Sequence, residues 1–88
     1  MNIRIRYFAS LREIVGQSEE QLTIQEGECV SDIRARLNSH YPRLEPILMR
    51  SVCAVNHAYV PAETVLHDGD ELVFIPPMGG GALRAYKQ

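Results

Sequence analysis

The sequence predicts an α+β domain: a five-stranded mixed sheet packed on one main helix, with a short helix beside it. Three observations carry that prediction. Residues 2–8 alternate Ile3, Ile5 and Tyr7 with Arg4 and Arg6, the period of a strand with one buried and one polar face. Val30, Ile33 and Leu37 recur at helical spacing, with Tyr41 one turn on, so a stripe faces the core while Asp32, Arg34, Arg36 and Asn38 face water. Residues 71–75 are apolar on both faces and stop at Pro76 and Pro77, as suits a strand in the middle of a sheet.

The remaining elements fall between these. Ser10 and Glu13 have capping-box spacing ahead of Ile14 and Val15, and Gly16 is placed to close a short helix in the left-handed conformation. Residues 21–24 alternate again, and Glu26-Gly27-Glu28 supplies a turn into the main helix. Pro42 and Pro46 argue against a clean helix, so the stretch to Met49 is expected to be an irregular loop or a 3₁₀ turn. Residues 52–55 form a continuous apolar run fit for a buried strand, Asn56-His57 suits a tight hairpin turn, and Ala58, Tyr59 and Val60 return as a short strand. Leu66-His67-Asp68-Gly69-Asp70 is a turn, and its acidic residues with Glu71 are expected to serve turn chemistry. This order of elements is that of the ubiquitin-like β-grasp, one domain over residues 1–78 followed by a Gly-rich tail over 79–88.

Composition narrows the function. Nine Lys and Arg against 11 Asp and Glu give a net charge of -2, with no basic excess to attract nucleic acid or an anionic membrane, so protein partners are expected. No apolar run approaches the roughly 20 residues that span a bilayer, and the chain reads as cytoplasmic. Cys29 and Cys53 stand 24 positions apart, which fits neither a disulfide framework nor zinc, and His40, His57 and His67 are scattered without ligand spacing, so no metal is expected. Cys53 reads as a packed core residue, and Cys29 as a semi-buried thiol at the start of the main helix. Arg4 and Arg6 read as a solvated strand face, and no catalytic set assembles from the chain.

The most informative stretch is Pro76-Pro77-Met78-Gly79-Gly80-Gly81, followed by seven residues, Ala82-Leu83-Arg84-Ala85-Tyr86-Lys87-Gln88. Three glycines without Cβ atoms can thread a narrow channel, and the two prolines, with φ near -65°, launch the thread as a stiff extension. Such a tail fits the active site of a partner. If its end carries an acyl group, that group has to be a free carboxylate, and here Gly81 is bonded to Ala82.

Four segments in order carry a resemblance: Arg6-Tyr7-Phe8-Ala9-Ser10-Leu11-Arg12-Glu13, Val55-Asn56, Leu66-x-Asp68-Gly69-Asp70-Glu71-Leu72, and Phe74-Ile75-Pro76-Pro77-Met78-Gly79-Gly80-Gly81. Over residues 1–81 the chain resembles the family of small sulfur-carrier subunits of molybdopterin synthase, whose fold is related to ubiquitin and to the thiamine-pathway sulfur carrier. The resemblance implies that an adenylating, E1-like activating enzyme uses ATP to activate the C-terminal glycine. Sulfur then displaces AMP to give a thiocarboxylate, and the large synthase subunit accepts the tail so that a pterin precursor receives the sulfur. It implies no bound cofactor, and it places the reacting group at Gly81 with Gly80 beside it. The family's contact surface maps to Phe8, Tyr59 and Ile75, near the launch at Pro76, Pro77 and Gly79, with Arg12 as a contact for the activating enzyme. Phe8 and Ile75 read equally well as core residues. The seven residues beyond Gly81 leave three alternatives: a peptidase removes them, they form a latch, or the chain has left sulfur chemistry as a ubiquitin-like interaction module. A carrier for thiamine or cysteine synthesis is a further alternative.

Overall fold

The first and last strands lie side by side at the centre of the sheet: β5 (Glu71–Ile75) runs parallel to β1 (Asn2–Arg6), with Ile5 opposite Leu72. This computed structural model describes residues 1–77. On the far side of β1 lies β2 (Glu19–Thr23), antiparallel to it; on the far side of β5 lie β3 (Val52–Val55) and β4 (Ala58–Val60), each antiparallel to its neighbour. The order β2-β1-β5-β3-β4 is the β-grasp arrangement that the element order implies. Flanked by β1 on one side and β3 on the other, β5 is buried at all five positions, which is why its sequence does not alternate.

Alternation along β5 divides the interior in two. Leu72 and Phe74 join Ile3, Ile5, Tyr7 and Cys53 on the face covered by α2 (Val30–His40), whose Val30, Ile33 and Leu37 are buried against them. Val73 and Ile75 point to the opposite face, where they cluster with Ala54 and the half-buried Phe8. Among the described residues no helix is long and apolar enough to cross a membrane.

Two local expectations are corrected. The short helix α1 (Ala9–Val15) starts one residue before Ser10, with Phe8 in the extended N-cap position (φ -123, ψ 155) and its carbonyl accepting the Leu11 and Arg12 N–H groups at 3.1 and 3.4 Å. Ser10 therefore sits inside the first turn and caps nothing; Phe8 is held in place by its ring on the sheet rather than by a capping oxygen. Gly16 closes α1 in the left-handed region, φ 86, as anticipated. The stretch after α2 contains one of the two expected forms, a 3₁₀ turn over Pro42–Leu44, but it leads into a short helix, α3 (Glu45–Leu48), that the prolines argue against. Pro46 falls in the first turn of α3, where no N–H is required, and Leu44 and Leu48, four apart, are buried together.

The hairpin turn behaves as its residues imply. Asn56 and His57 both have positive φ, 51 and 72, the condition for a two-residue turn whose twist matches the strands. Asn56 also ties the hairpin to the base of β5: its amide donates to Asp70 Oδ1 at 2.8 Å, and its Oδ1 accepts the Glu71 N–H at 3.0 Å. Asp70 Oδ2 accepts the His67 N–H and Asp68 Oδ1 the Asn2 N–H, each at 2.8 Å, so these two aspartates do carry turn chemistry.

On the other edge, the buried Tyr7 donates its hydroxyl to Glu20 Oε1 at 2.7 Å, and Tyr41 reaches the other Glu20 oxygen at 3.4 Å. Burial, reinforced by the Glu20 carboxylate, pushes the Tyr7 phenol far above its ordinary value. The phenol therefore keeps its proton in the folded state when the unfolded chain, near pH 10, begins to lose it. Stability is expected to be fully present below about pH 10 and to fall above it, by up to about 1.4 kcal/mol per pH unit from this group. Tyr7→Phe is expected to flatten that slope, read as urea midpoints for both proteins at about pH 9 and about pH 11; equal slopes would contradict the assignment.

Candidate functional site

The tail leaves from the most buried strand. β5 ends at Ile75, Pro76 is buried and Pro77 is exposed, so the prolines stand where the chain passes from core to surface. Ser10, Pro46, Ile47 and Arg50 form a small cleft of about 230 Å³ with the two prolines. The expected reacting residues Gly80 and Gly81, and Gly79 before them, lie outside the described residues.

The register assigns the expected contact residues to one face. Strand partners share a face, so Tyr59, opposite Ala54, and Val52, opposite Ile75, lie with Val73 on the side of the sheet away from α2. Tyr59 and Val52 are 41% and 45% exposed, large apolar groups presented next to each other beside the start of the tail. Phe8 completes the patch from the end of β1, with the Arg6 guanidinium 5.4 Å from its ring centroid. Ile75 is only 3% exposed, so it floors the patch rather than presenting surface. Phe8, Tyr59 and Ile75 are thus brought together, whereas Arg12 is exposed on α1, off the sheet.

Val52, Ala54 and Val73 are the members of this face that sequence reasoning missed. The run Val52-Cys53-Ala54-Val55 is apolar throughout and does not say which residues point which way. The pairing of Val52 with Ile75, two residues far apart in the chain, settles it, and single-strand periodicity does not encode that register.

Toward the other end of the same face, charge replaces apolar surface. Glu71, 7% exposed, is held by Arg4 at 2.9 Å, with Arg6 at 3.9 Å and His57 Nε2 at 3.6 Å. Two expectations change here: Glu71 belongs to β5 and to this ion cluster rather than to the turn, and Arg4 and Arg6 are paired rather than merely solvated. The burial of one carboxylate against two guanidinium groups is what lets an acidic residue open a central strand.

The two thiols lie apart. Cys53 is buried, its Sγ 3.4 Å from the Val60 carbonyl oxygen, and burial pushes the thiol up. Cys29 occupies the N-cap position of α2, where its N–H donates to Asp32 Oδ2 at 2.9 Å and its thiol to the same oxygen at 3.3 Å. The backbone bond holds the Asp32 carboxyl below its ordinary value.

Residues 5–81 match the model of the ThiS family. The chain is 37% identical over 82 residues to the molybdopterin synthase sulfur carrier subunit of Mycobacterium tuberculosis, covering 92% of this chain and 99% of that one. It is 35% identical over 83 residues to the subunit of the same name from Chlamydomonas reinhardtii, covering 92% of this chain and 100% of that one. Among solved structures, the small archaeal modifier protein 1 of Methanosarcina acetivorans is similar with a TM-score of 0.77 at 28% identity, over 91% of this chain and 96% of that one. The family match runs from the middle of β1 through every strand of the sheet to Gly81 itself, and the chain belongs to the ThiS family.

Proposed function

We propose that this chain is the sulfur-carrier subunit of a molybdopterin synthase and that Gly81 is the residue that carries the sulfur. The observation that carries the proposal is the end-to-end similarity to two sulfur carrier subunits, together with a family match that stops on Gly81. A peptidase first hydrolyses the Gly81–Ala82 bond: water adds to the Gly81 carbonyl, the C–N bond breaks, and the proton goes to the Ala82 nitrogen. The freed carboxylate attacks the α-phosphate of ATP in an activating enzyme, pyrophosphate leaves, and the acyl adenylate forms. Sulfur from a donor displaces AMP and leaves a thiocarboxylate. The loaded tail enters the large subunit, where the sulfur passes to the pterin precursor.

This chain's own contribution is delivery. Glycines at 79–81 present no side chain to a channel wall, and the prolines fix the point from which the thread extends. Ordering each tail residue on docking opposes binding by about 1–2 kcal/mol, which a body contact has to offset. The Val52, Tyr59 and Phe8 face supplies that contact for the large subunit, and Arg12 a further one for the activating enzyme. Tyr is suited to such a face because it offers large area for few rotatable bonds.

The test uses two chains, the full sequence and one ending at Gly81, each incubated with the activating enzyme, ATP and a sulfur source. The shorter chain is expected to gain the mass of one sulfur in exchange for one oxygen, and the full chain to stay unchanged. No change in the shorter chain, with a known carrier converted in parallel, would overturn the proposal.

A further inference from the structure

We propose that the cleft at the root of the tail, lined by Ser10, Pro46, Ile47, Arg50, Pro76 and Pro77, receives an acidic side chain from the rim of the large subunit's channel, with Arg50 as its partner. The inference rests on the carrier function and adds a second contact to it. Ile47 packs against the helix-covered core, so the cleft lies on the helix side of the exit, opposite the open face that presents Val52 and Tyr59. A partner using both surfaces grips the exit from two sides.

Position makes the cleft part of any such docking. The two prolines that follow β5 are themselves a wall of the cleft, Pro76 buried and Pro77 exposed. A partner that takes a tail beginning there has to bring its channel mouth over Pro77, and the rim of that mouth then rests on Pro46, Ile47 and Arg50. Continuity selects the large subunit: Ile75 lies opposite Val52, and only Ser51 separates Val52 from Arg50, so the cleft and the face assigned to that subunit meet at the exit strand.

Size and charge say what enters. At about 230 Å³ the cleft is smaller than the roughly 300–1,000 Å³ of small-molecule sites and suits one or two side chains. Arg50 is the one charged residue among the described residues that line it. Arg4 and Arg6 pair with Glu71 and Arg36 with Glu28, whereas Arg50 meets no carboxylate among the described residues. Covering an unpaired guanidinium is unfavourable unless an anion replaces its water, and a carboxylate does so with two parallel bonds. The site is also held ready. The Ser51 hydroxyl donates to the Ile47 carbonyl at 2.8 Å and the Arg50 N–H to the same oxygen at 3.1 Å, and three of the six lining residues are prolines, so docking freezes little backbone.

Calorimetric titration of the chain ending at Gly81 with the large subunit tests the contact. Arg50→Glu is expected to weaken binding by about 30-fold or more, since it sets two carboxylates against each other, and Arg50→Lys, which keeps the charge but not the planar fork, by about 3- to 10-fold. Arg43→Glu makes the same charge change at an exposed position outside the cleft and is expected to stay within about 3-fold of the parent. Unfolding midpoints should coincide, because Arg50 is exposed. Equal affinities for Arg50→Glu and the parent would overturn the proposal, as would an equal loss for Arg43→Glu, which would mark net charge rather than the cleft as the cause. So would an Arg50→Glu chain that binds the large subunit normally but is converted poorly by the activating enzyme, which would give the cleft to that enzyme. A parent chain that does not bind the large subunit would overturn the carrier function and this inference with it.

Discussion

Phe74→Ala is expected to cost about 3–5 kcal/mol of folding stability. Phe74 is 1% exposed, lies on the central strand and faces the helix-covered core opposite Cys53. Removing the ring loses the transfer free energy of its carbons and leaves a void between sheet and helices that neither can close without breaking a ladder. A domain this small has a total stability on the order of 5–10 kcal/mol, so the variant should be partly unfolded at modest temperature. The drop is read from urea unfolding of both proteins. A loss below about 1 kcal/mol would mean that the core is less tightly organised around β5 than the register implies.

The second large effect is on binding. Tyr59→Ala is expected to weaken association with the large synthase subunit by about 10- to 100-fold while moving the unfolding midpoint little, and Val52→Asp to act in the same direction. Both side chains are over 40% exposed and lie on the face of the sheet beside the end of β5, so they contribute little to the core and stand where the proposed body contact requires them. His40→Ala, at the end of α2 on the other side of the sheet, serves as the control and should leave affinity unchanged. Titration calorimetry with the large subunit compares the three. Equal affinities across Tyr59→Ala, Val52→Asp and the parent would remove the open face from the account.

Much of this was legible in the sequence because period reports burial. Ile3, Ile5 and Tyr7 at period two, and Val30, Ile33 and Leu37 at helical period, all came out buried on the expected faces. Asn56-His57 and Gly16 announced their turns through the backbone angles they tolerate. The helix starts were harder. Ser10 has the chemistry of a cap but not the position, since the packing of Phe8 on the sheet sets where the chain turns. Pro46 reads as a breaker unless it falls in a first turn, and nothing local says that it does.

The candidate site was legible in outline and blurred in detail for a single reason. Phe8, Tyr59 and Ile75 came from a resemblance, and the structure brings them to one face; yet which of them presents surface depends on long-range register, which single-strand periodicity does not encode. Glu71 shows the same dependence: beside Asp68 and Asp70 it looks like a turn residue, and only the pairing with Arg4 across β1 turns it into a buried ion pair. The glycines of the tail lie outside the described residues, so their role rests on chemistry and on the family match.

The central claim is that Gly81 becomes the end of the chain and bears the sulfur, and the intact mass of the protein isolated from its native cells tests it most directly. The account predicts a population ending at Gly81, part of it heavier by a sulfur-for-oxygen exchange. A single population in which every molecule retains Gln88 would contradict it.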